Sequence, residues 1–466
     1  MVRPGSIHPA SGAPLPDFAW SSPSAVAEIV ARARAASVGW AATPAATREA
    51  AALALGRRIL ERREEALAVL QLETGRDPAE SLLGEVAFAL AYARGAVEVS
   101  RQALAPERVK LSPIDFPGKR AVIEAVPRGV IAIVEPWNYP LLQFYKPLFP
   151  ALLAGNAVVL KPSEHTPRTA AWLVEQARAC FPPELVQVVY GDGAVGAALI
   201  DDDVDGVVFC GSVNTGRRVA ARCGERLIPC SVELGGKDAA IVLADCDLPR
   251  TAAGILQWSL HNAGQDCSSI ERVYVEEPVA DALVRHLALA VGKLKVAGRE
   301  GVRGDLGPLQ NAAQLALVER QVAEAVAAGA ELVCGGKRTG VGFGYLPTVL
   351  DRCTPAMDVM RDETFGPVIA ICRVADAEDA VRRANATRYG LSGSVWTRDL
   401  ARGEALARRL QVGIALVNNH SFPGSLPQIP WTGTRDTGSG VAASRHAYPV
   451  FVRRRTVVVD RSRDPP

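Results

Sequence analysis

Two residues stand where their types and spacing can do chemistry together: Glu233, in Val-Glu-Leu-Gly-Gly-Lys, and Cys267, in Gly-Gln-Asp-Cys-Ser-Ser. A thiol attacks a carbonyl carbon as the thiolate, and a thioester formed by that attack needs base-activated water to open it. One glutamate and one cysteine supply both parts. Either alone is a weak signal, because free cysteine is mostly a small buried hydrophobe and a glutamate before two glycines is commonly a loop residue. Upstream, Glu135-Pro136-Trp137-Asn138-Tyr139-Pro140 adds an asparagine fixed between prolines, an amide donor suited to a developing oxyanion. The same stretch also reads as a plain Pro-rich turn.

These residues need a scaffold, and the chain is long enough for two large domains at 466 residues, 48% hydrophobic and 22% charged. The formal net charge of +2 gives no electrostatic case for nucleic acid or an anionic membrane, and Arg453-Arg454-Arg455 is too short to make one. Nine scattered cysteines without a Cys-x-x-Cys pair or a Cys/His cluster suggest neither a disulfide framework nor a metal site. Reduced thiols in the cytoplasm are the simpler expectation. No apolar run approaches the roughly 18 residues of a membrane span. The N-terminal Met-Val-Arg-Pro-Gly-Ser leads into no apolar signal core, so secretion is not expected.

Residues 24–104 are rich in Ala, Leu, Glu and Arg with apolar residues at helical spacing, which predicts helical hairpins. From residue 129 the pattern changes to short β-branched runs (130–134, 157–160, 186–190, 207–209) separated by helical stretches, the signature of βαβ units and a parallel sheet. A second such series follows Glu233, with strands predicted at 239–243, 272–275, 332–334, 368–372, 393–397 and 413–417. The fold class is therefore α/β, with two Rossmann-like α/β domains. Segments 107–128 and 448–460 are extended and β-prone and belong to neither series.

At this point the chain resembles the aldehyde dehydrogenase superfamily from about residue 20 to 460. Besides the motifs above, with Glu233 and Cys267 separated by 34 residues, the similar pieces are Leu160-Lys161-Pro162-Ser163-Glu164, Phe209 to Gly216, Glu363-Thr364-Phe365-Gly366-Pro367 and the tail from Pro430 to Gly440. Several motifs in the right order are far more specific than any one of them. The resemblance implies a cofactor-binding domain over 1–106 and 129–232 and a catalytic domain over 233–425. It also implies strands at 107–128 and 445–466 that build a homodimer or homotetramer.

It further implies NAD-dependent oxidation of an aldehyde to its acid. Cys267 would be the nucleophile, Glu233 the base, Asn138 an oxyanion donor and Lys146 a supporting cation that also reads as an ordinary snorkelling lysine. The glycine turn Gly191-Asp192-Gly193-Ala194-Val195-Gly196 looks like a dinucleotide fingerprint, yet the next strand ends without the acidic residue that would meet the ribose. A tight strand-to-helix turn is the preferred reading. Gly211-Ser212, where a strand gives way to a helix, is the better phosphate site, and Gly216 would let that helix approach closely. The resemblance adds Pro136, Trp137, Ser163 and Leu234 to the cofactor site, sets Lys161 and Glu164 on the adenosine ribose, and sets Glu363 and Phe365 about the nicotinamide. Glu164 would repel a 2′-phosphate and Lys161 would attract one, so the expectation is NAD, with NADP possible.

Two departures bear on the substrate. Trp431 replaces a smaller aromatic in the expected aldehyde tunnel, where it would narrow the passage or stack on an aromatic substrate. Asp266, beside the nucleophile, would disfavour semialdehydes if it faces the pocket. Tyr145, Ser268, Phe422, Phe144 and His420 are further candidate lining residues. Alternatives are a coenzyme A-acylating dehydrogenase, disfavoured by Glu233, a cofactor-free cysteine esterase, and a silent relative with a binding role.

Overall fold

The computed structural model describes residues 7–296 and 304–461. Residues 1–6 and 462–466, assigned above to the first unit and to the last strand, lie outside them.

Four long helices, Pro23–Ala42, Ala45–Glu61, Arg63–Thr74 and Ala89–Ala103, fill the predicted helical region. The Ser22 side chain accepts from the Ala25 amide and Pro23 opens the first helix, a favourable pairing of cap and first-turn residue. Between the third and fourth helices the chain makes a π-helical turn at Leu82–Val86.

The first sheet has five parallel strands in the spatial order Val186–Val188, Ala157–Pro162, Val130–Glu135, Gly206–Cys210, Cys230–Glu233. The chain works outward from Val130–Glu135 on one side, then returns to place two strands on the other. The order therefore reverses between Val130–Glu135 and Gly206–Cys210, and in such sheets a crevice opens beyond the carboxyl ends at that point. Sequence reading missed the edge strand Cys230–Glu233, which is short and broken in character, and Glu233 is its last residue.

The second sheet has seven strands in the order Glu331–Cys334, Thr348–Asp351, Val368–Val374, Ile270–Glu276, Asp238–Val242, Ser392–Trp396, Ile414–Val417. All neighbours are parallel except the first pair. Thr348–Asp351 was also missed, being only four residues long, although it is wholly buried.

A third sheet pairs Lys119–Pro127 with Glu107–Val109 and Val452–Asp460, all antiparallel. The expected extended segment from residue 448 is corrected at its start: Arg445–Val450 is a 3-10 turn containing Pro449, and it turns Tyr448 into the core. From Val452 the strand is exposed along most of its length. Among the described residues no helix is long and apolar enough to cross a membrane.

Candidate functional site

The carboxyl ends of the first sheet face the amino ends of the second, and the motifs meet in that gap. Glu233 ends its strand, and Leu234-Gly235-Gly236 carries the chain across to the strand at Asp238. Both glycines are required by close approach. A Cβ on Gly235 would strike the Glu363 carboxylate, and one on Gly236 would strike the Cys267 carbonyl. The tail clasps the same strand, with the Gly440 amide donating to the Val232 carbonyl at 2.9 Å and the Leu234 amide to the Thr437 carbonyl at 2.9 Å. At Gly440 a Cβ would come within 2.7 Å of Glu233 Oε1.

Glu233 is buried and neither of its carboxylate oxygens has a hydrogen-bond partner. Burial pushes its pKa up to about 8, opposed by the charge of Lys146. A carboxyl in that condition is suited to exchanging protons near neutrality.

Cys267 is carried by a loop that is tightly held. Asn262, Ala263 and Gly264 all have positive φ, of 52°, 55° and 71°, and each non-glycine residue in that region costs about 1–3 kcal/mol. An amide network secures them. Asn262 Nδ2 donates to the Asn138 and Gln265 carbonyls at 2.8 and 3.1 Å, and the Asn262 amide donates to Glu80 at 2.6 Å. Gln265 Nε2 donates to the Asn262 and Pro308 carbonyls, while its Oε1 accepts from the Gln310 amide. Asn138 Nδ2 donates to the Gln265 carbonyl at 3.2 Å, two residues before the cysteine, which leaves its second hydrogen uncommitted. Burial, reinforced by Asp266, pushes the Cys267 thiol well above its ordinary pKa, so its ionisation needs a base.

Cys267 borders two spaces. An inner pocket holds it with Glu233, Glu135, Lys146, Cys210 and Trp431. A wider passage of about 310 Å³ leads from it to the surface past Ser268, Asp266, Tyr139 and Phe422. Lys146 and Trp431 border both, with the Lys146 ammonium 5.5 Å from the Trp431 ring centroid. Asp266 faces the passage: its carboxylate accepts from Tyr139 Oη and from the amide and hydroxyl of Ser268, each at 2.9 Å.

Tyr145 is a correction. It is wholly buried between Tyr92 and Phe149 and donates to the Glu85 carbonyl at 2.8 Å, because its helix turns it away from the passage that Gln143 and Lys146 border. Phe144 and His420 are likewise fully buried. His420 interacts with Ser392, Ser394 and the Ser268 carbonyl behind the nucleophile loop.

A groove of about 590 Å³ lies at the reversal point of the first sheet, bordered by Pro136, Trp137, Lys161, Ser163, Glu164, Gly211 and Ser212. Ser212 caps the helix Val213–Glu225 by accepting from the Thr215 amide, so the other first-turn amides are open to an anion. Lys161 Nζ lies 3.9 Å from Glu164. Gly193 and Gly196 also border the groove, so the glycine turn helps wall it. The size, the helix terminus and the paired Lys161 and Glu164 fit a dinucleotide. Gly216 and Leu234 do not border the groove. They pack on each other, Leu234 filling the place a Cβ on Gly216 would take. Phe365 meets Trp137 edge to face with centroids 5.4 Å apart, and Glu363 accepts from the Gly236 amide at 3.0 Å.

Sequence reasoning missed four residues that the structure brings here. Glu271 accepts from the Thr364 and Phe365 amides and from Lys237, fixing the loop of Glu363 and holding Phe365 at φ 50°. Gln265 secures the nucleophile loop as described. Glu135 and Cys210 border both the inner pocket and the groove. A charged residue in a buried strand, as at Glu271 in Ile270–Glu276 and at Glu135 closing Val130–Glu135, was the available signal.

Two doubly wound sheets sharing one cleft, with a thiol and a carboxyl between them and a nucleotide-sized groove beside them, define an α/β enzyme class. The particular family is equally plain: the Aldehyde dehydrogenase family matches residues 4–457, and the chain belongs to it. It is thus an oxidoreductase acting on aldehydes. It is 35% identical to the 4,4'-diapolycopene aldehyde oxidase of Methylomonas sp, over 94% of this chain and 82% of that one. It is 37% identical to a Mycobacterium ulcerans protein bearing the name succinate-semialdehyde dehydrogenase (NADP+) 2, over 98% and 89%. The crystal structure of Mycobacterium tuberculosis aldehyde dehydrogenase complexed with NAD+ superposes with a TM-score of 0.91 at 32% identity, covering 97% of this chain and 93% of that one.

Proposed function

We propose that the protein oxidises an aldehyde to its carboxylic acid through a covalent intermediate on Cys267, with NAD as hydride acceptor. The observation that carries this reading is the inner pocket, where Cys267 and the unpartnered Glu233 carboxyl meet between a passage for the aldehyde and a groove for the cofactor. The thiol proton of Cys267 passes to water in the passage, and the sulfur attacks the carbonyl carbon. The free hydrogen of Asn138 Nδ2 and the Cys267 amide hold the oxyanion of the tetrahedral adduct. Loss of one such donor typically costs about 10²–10³ in rate. The bound dinucleotide supplies the acceptor for the hydride, and a thioester is left on Cys267. Glu233 then draws a proton from water, the hydroxide so formed opens the thioester to the acid, and the leaving Cys267 sulfur takes that proton back as the free thiol. Lys146, facing Glu233, steadies the carboxylate that appears when that proton leaves.

Residues at the groove hold the cofactor. Lys161 and Glu164 meet the adenosine ribose, Gly211 and Ser212 the pyrophosphate, and Phe365 with Trp137 the nicotinamide. Glu164 favours NAD, as in the M. tuberculosis structure, while Lys161 offers a 2′-phosphate a partner, in keeping with the NADP+ in the M. ulcerans protein's name. In this reading residues 1–106 and 129–232 bind the cofactor and 233–425 carry the chemistry. The exposed strand Val452–Asp460 pairs copies into a homodimer or homotetramer, in the cytoplasm, where nine cysteines stay reduced. NADH formation with an aldehyde panel tests the activity, and Cys267→Ala must abolish it. Turnover that persists in that variant refutes the assignment.

A further inference from the structure

The passage to Cys267 has a chemistry of its own. Its mouth is ringed by Leu83, Phe88 and Phe422, which are 65%, 41% and 45% exposed. Large apolar side chains gathered at an opening mark a surface that a ligand covers. Further in, Leu142 and Trp258 line the wall, and the Trp431 ring lies beside the nucleophile. The π-helical turn at Leu82–Val86 sets Leu83 at the rim and Gly84 in the wall. At Gly84 an added Cβ would find its nearest neighbours at 3.8 Å, on Tyr139 and His261. Those two rings stack at 5.9 Å with an interplanar angle of 19°, so their plane and the absent side chain leave a flat slot.

The charges are as informative. Among the described residues no arginine borders the passage, and its one lysine, Lys146, sits at the inner end against the Trp431 ring and the Glu233 carboxyl. Asp266 is next to the nucleophile, where its carboxylate is satisfied by three neutral donors and by no cation. A substrate tail bearing a carboxylate would meet apolar walls outside and Asp266 inside. A tail bearing an ammonium would leave its charge among Leu83, Phe88 and Leu142, out of reach of the innermost carboxylate.

The geometry points to an uncharged aldehyde with a flat aromatic or conjugated hydrocarbon body as the substrate class of this site. This rests on the dehydrogenase reading above. It sets the chain apart from the semialdehyde in the M. ulcerans protein's name, because beyond Lys146 at the inner end no lysine or arginine among the described residues borders this passage to meet a semialdehyde's second carboxylate.

The test is the specificity constant, kcat/KM, for trans-cinnamaldehyde, propanal, succinic semialdehyde and 3-aminopropanal, each with NAD and with NADP. Burying a phenyl ring that propanal lacks is expected to favour cinnamaldehyde by about 100-fold. The two charged aldehydes should fall below propanal. Phe422→Ala, at an exposed position on a short turn, should lower the cinnamaldehyde-to-propanal ratio by about tenfold. Asp266→Asn should raise the succinic semialdehyde-to-cinnamaldehyde ratio by about tenfold, as removal of one like-charge neighbour in a partly wet site would. These ratios are independent of how much of each variant folds. A specificity constant for propanal or for either charged aldehyde equal to that for cinnamaldehyde overturns the inference while leaving the dehydrogenase reading intact. Absence of NADH and NADPH with all four, propanal included, counts against both.

Discussion

Replacing Glu233 by Gln keeps the shape of the side chain and removes its titration. In the wild type, burial sets that carboxyl at about 8, so about one-tenth of the molecules carry the ionised base at pH 7. Thioester hydrolysis should then rise about tenfold between pH 6 and 7 and level off above pH 8. The variant has no such base. It should still release about one equivalent of NADH per site in a rapid first turnover, while steady-state turnover falls by about 10²–10⁴. Stopped-flow absorbance at the NADH band resolves the two phases, and trapping the acyl-enzyme on Cys267 identifies what accumulates. The same carboxyl has a stability signature. Between the ordinary carboxyl range and about pH 8 the folded protein holds a proton that the unfolded chain lacks. Stability therefore falls as pH rises through that window, by about 1.4 kcal/mol per unit for this one group. The Gln variant loses that part of the slope in denaturant titrations. Steady-state turnover of the variant at the wild-type rate, or hydrolysis independent of pH from 6 to 8, would refute the role given to Glu233.

Other outcomes follow from contacts described above. Burial pushes the Glu135 carboxyl well above its ordinary pKa and so favours its protonated form. Glu135→Gln should accordingly keep turnover within about threefold and stability within about 1 kcal/mol at pH 7, and a larger change in either, by kinetics or urea titration, would show that the carboxyl must ionise. Gly236→Ala forces a methyl onto the Cys267 carbonyl and should cost about 10² in kcat/KM by displacing the nucleophile, with cofactor affinity by fluorescence titration as the control. Glu85 pairs with Arg76 in full burial and accepts from the Leu141 and Leu142 amides at 2.7 and 3.0 Å. Glu85→Ala should therefore lose about 3–5 kcal/mol in chemical denaturation. Finally, Glu164→Gln should raise the ratio of NADP to NAD efficiency by about tenfold, since it removes a negative charge beside Lys161.

Much of this was legible in the chain because strong local patterns and the global fold agree. The β-branched runs at 130–134 and 157–160 fell where buried parallel strands lie, and the helical texture of 24–104 became helices. Cys267 and Glu233 were found from chemistry and are brought to one pocket. What escaped was set by tertiary contact rather than local pattern. Cys230–Glu233 is a strand because Gly206–Cys210 and the tail at Gly440 flank it. Tyr145 and Lys146 are neighbours in sequence, yet a helix turns one into the core and the other into the pocket. Gly216 shares a motif with Gly211 and Ser212, which border the groove, yet it and Leu234 serve each other's packing. No periodicity could have assigned Glu271 to the Glu363 loop, 93 residues away from Thr364.

The order of synthesis gives the return of the C-terminus to the first sheet a temporal meaning. Ala447, Tyr448, Val450, Phe451 and Val452 belong to the same apolar core as the strands at 130–135 and 157–162, and the Phe451 carbonyl accepts from Asn156 and from Arg128. A ribosome reaches these residues only after the whole second sheet has been made. The first core is therefore left unsealed while the second can already close, so the half that begins first finishes last. Until residues 447–452 emerge, the nascent chain must shelter an open apolar seam, and a protein truncated near residue 440 would display it permanently. Such a fragment is a natural client for chaperones, and its fate in the cell would be decided by how quickly it is captured rather than by the stability of the parts it retains.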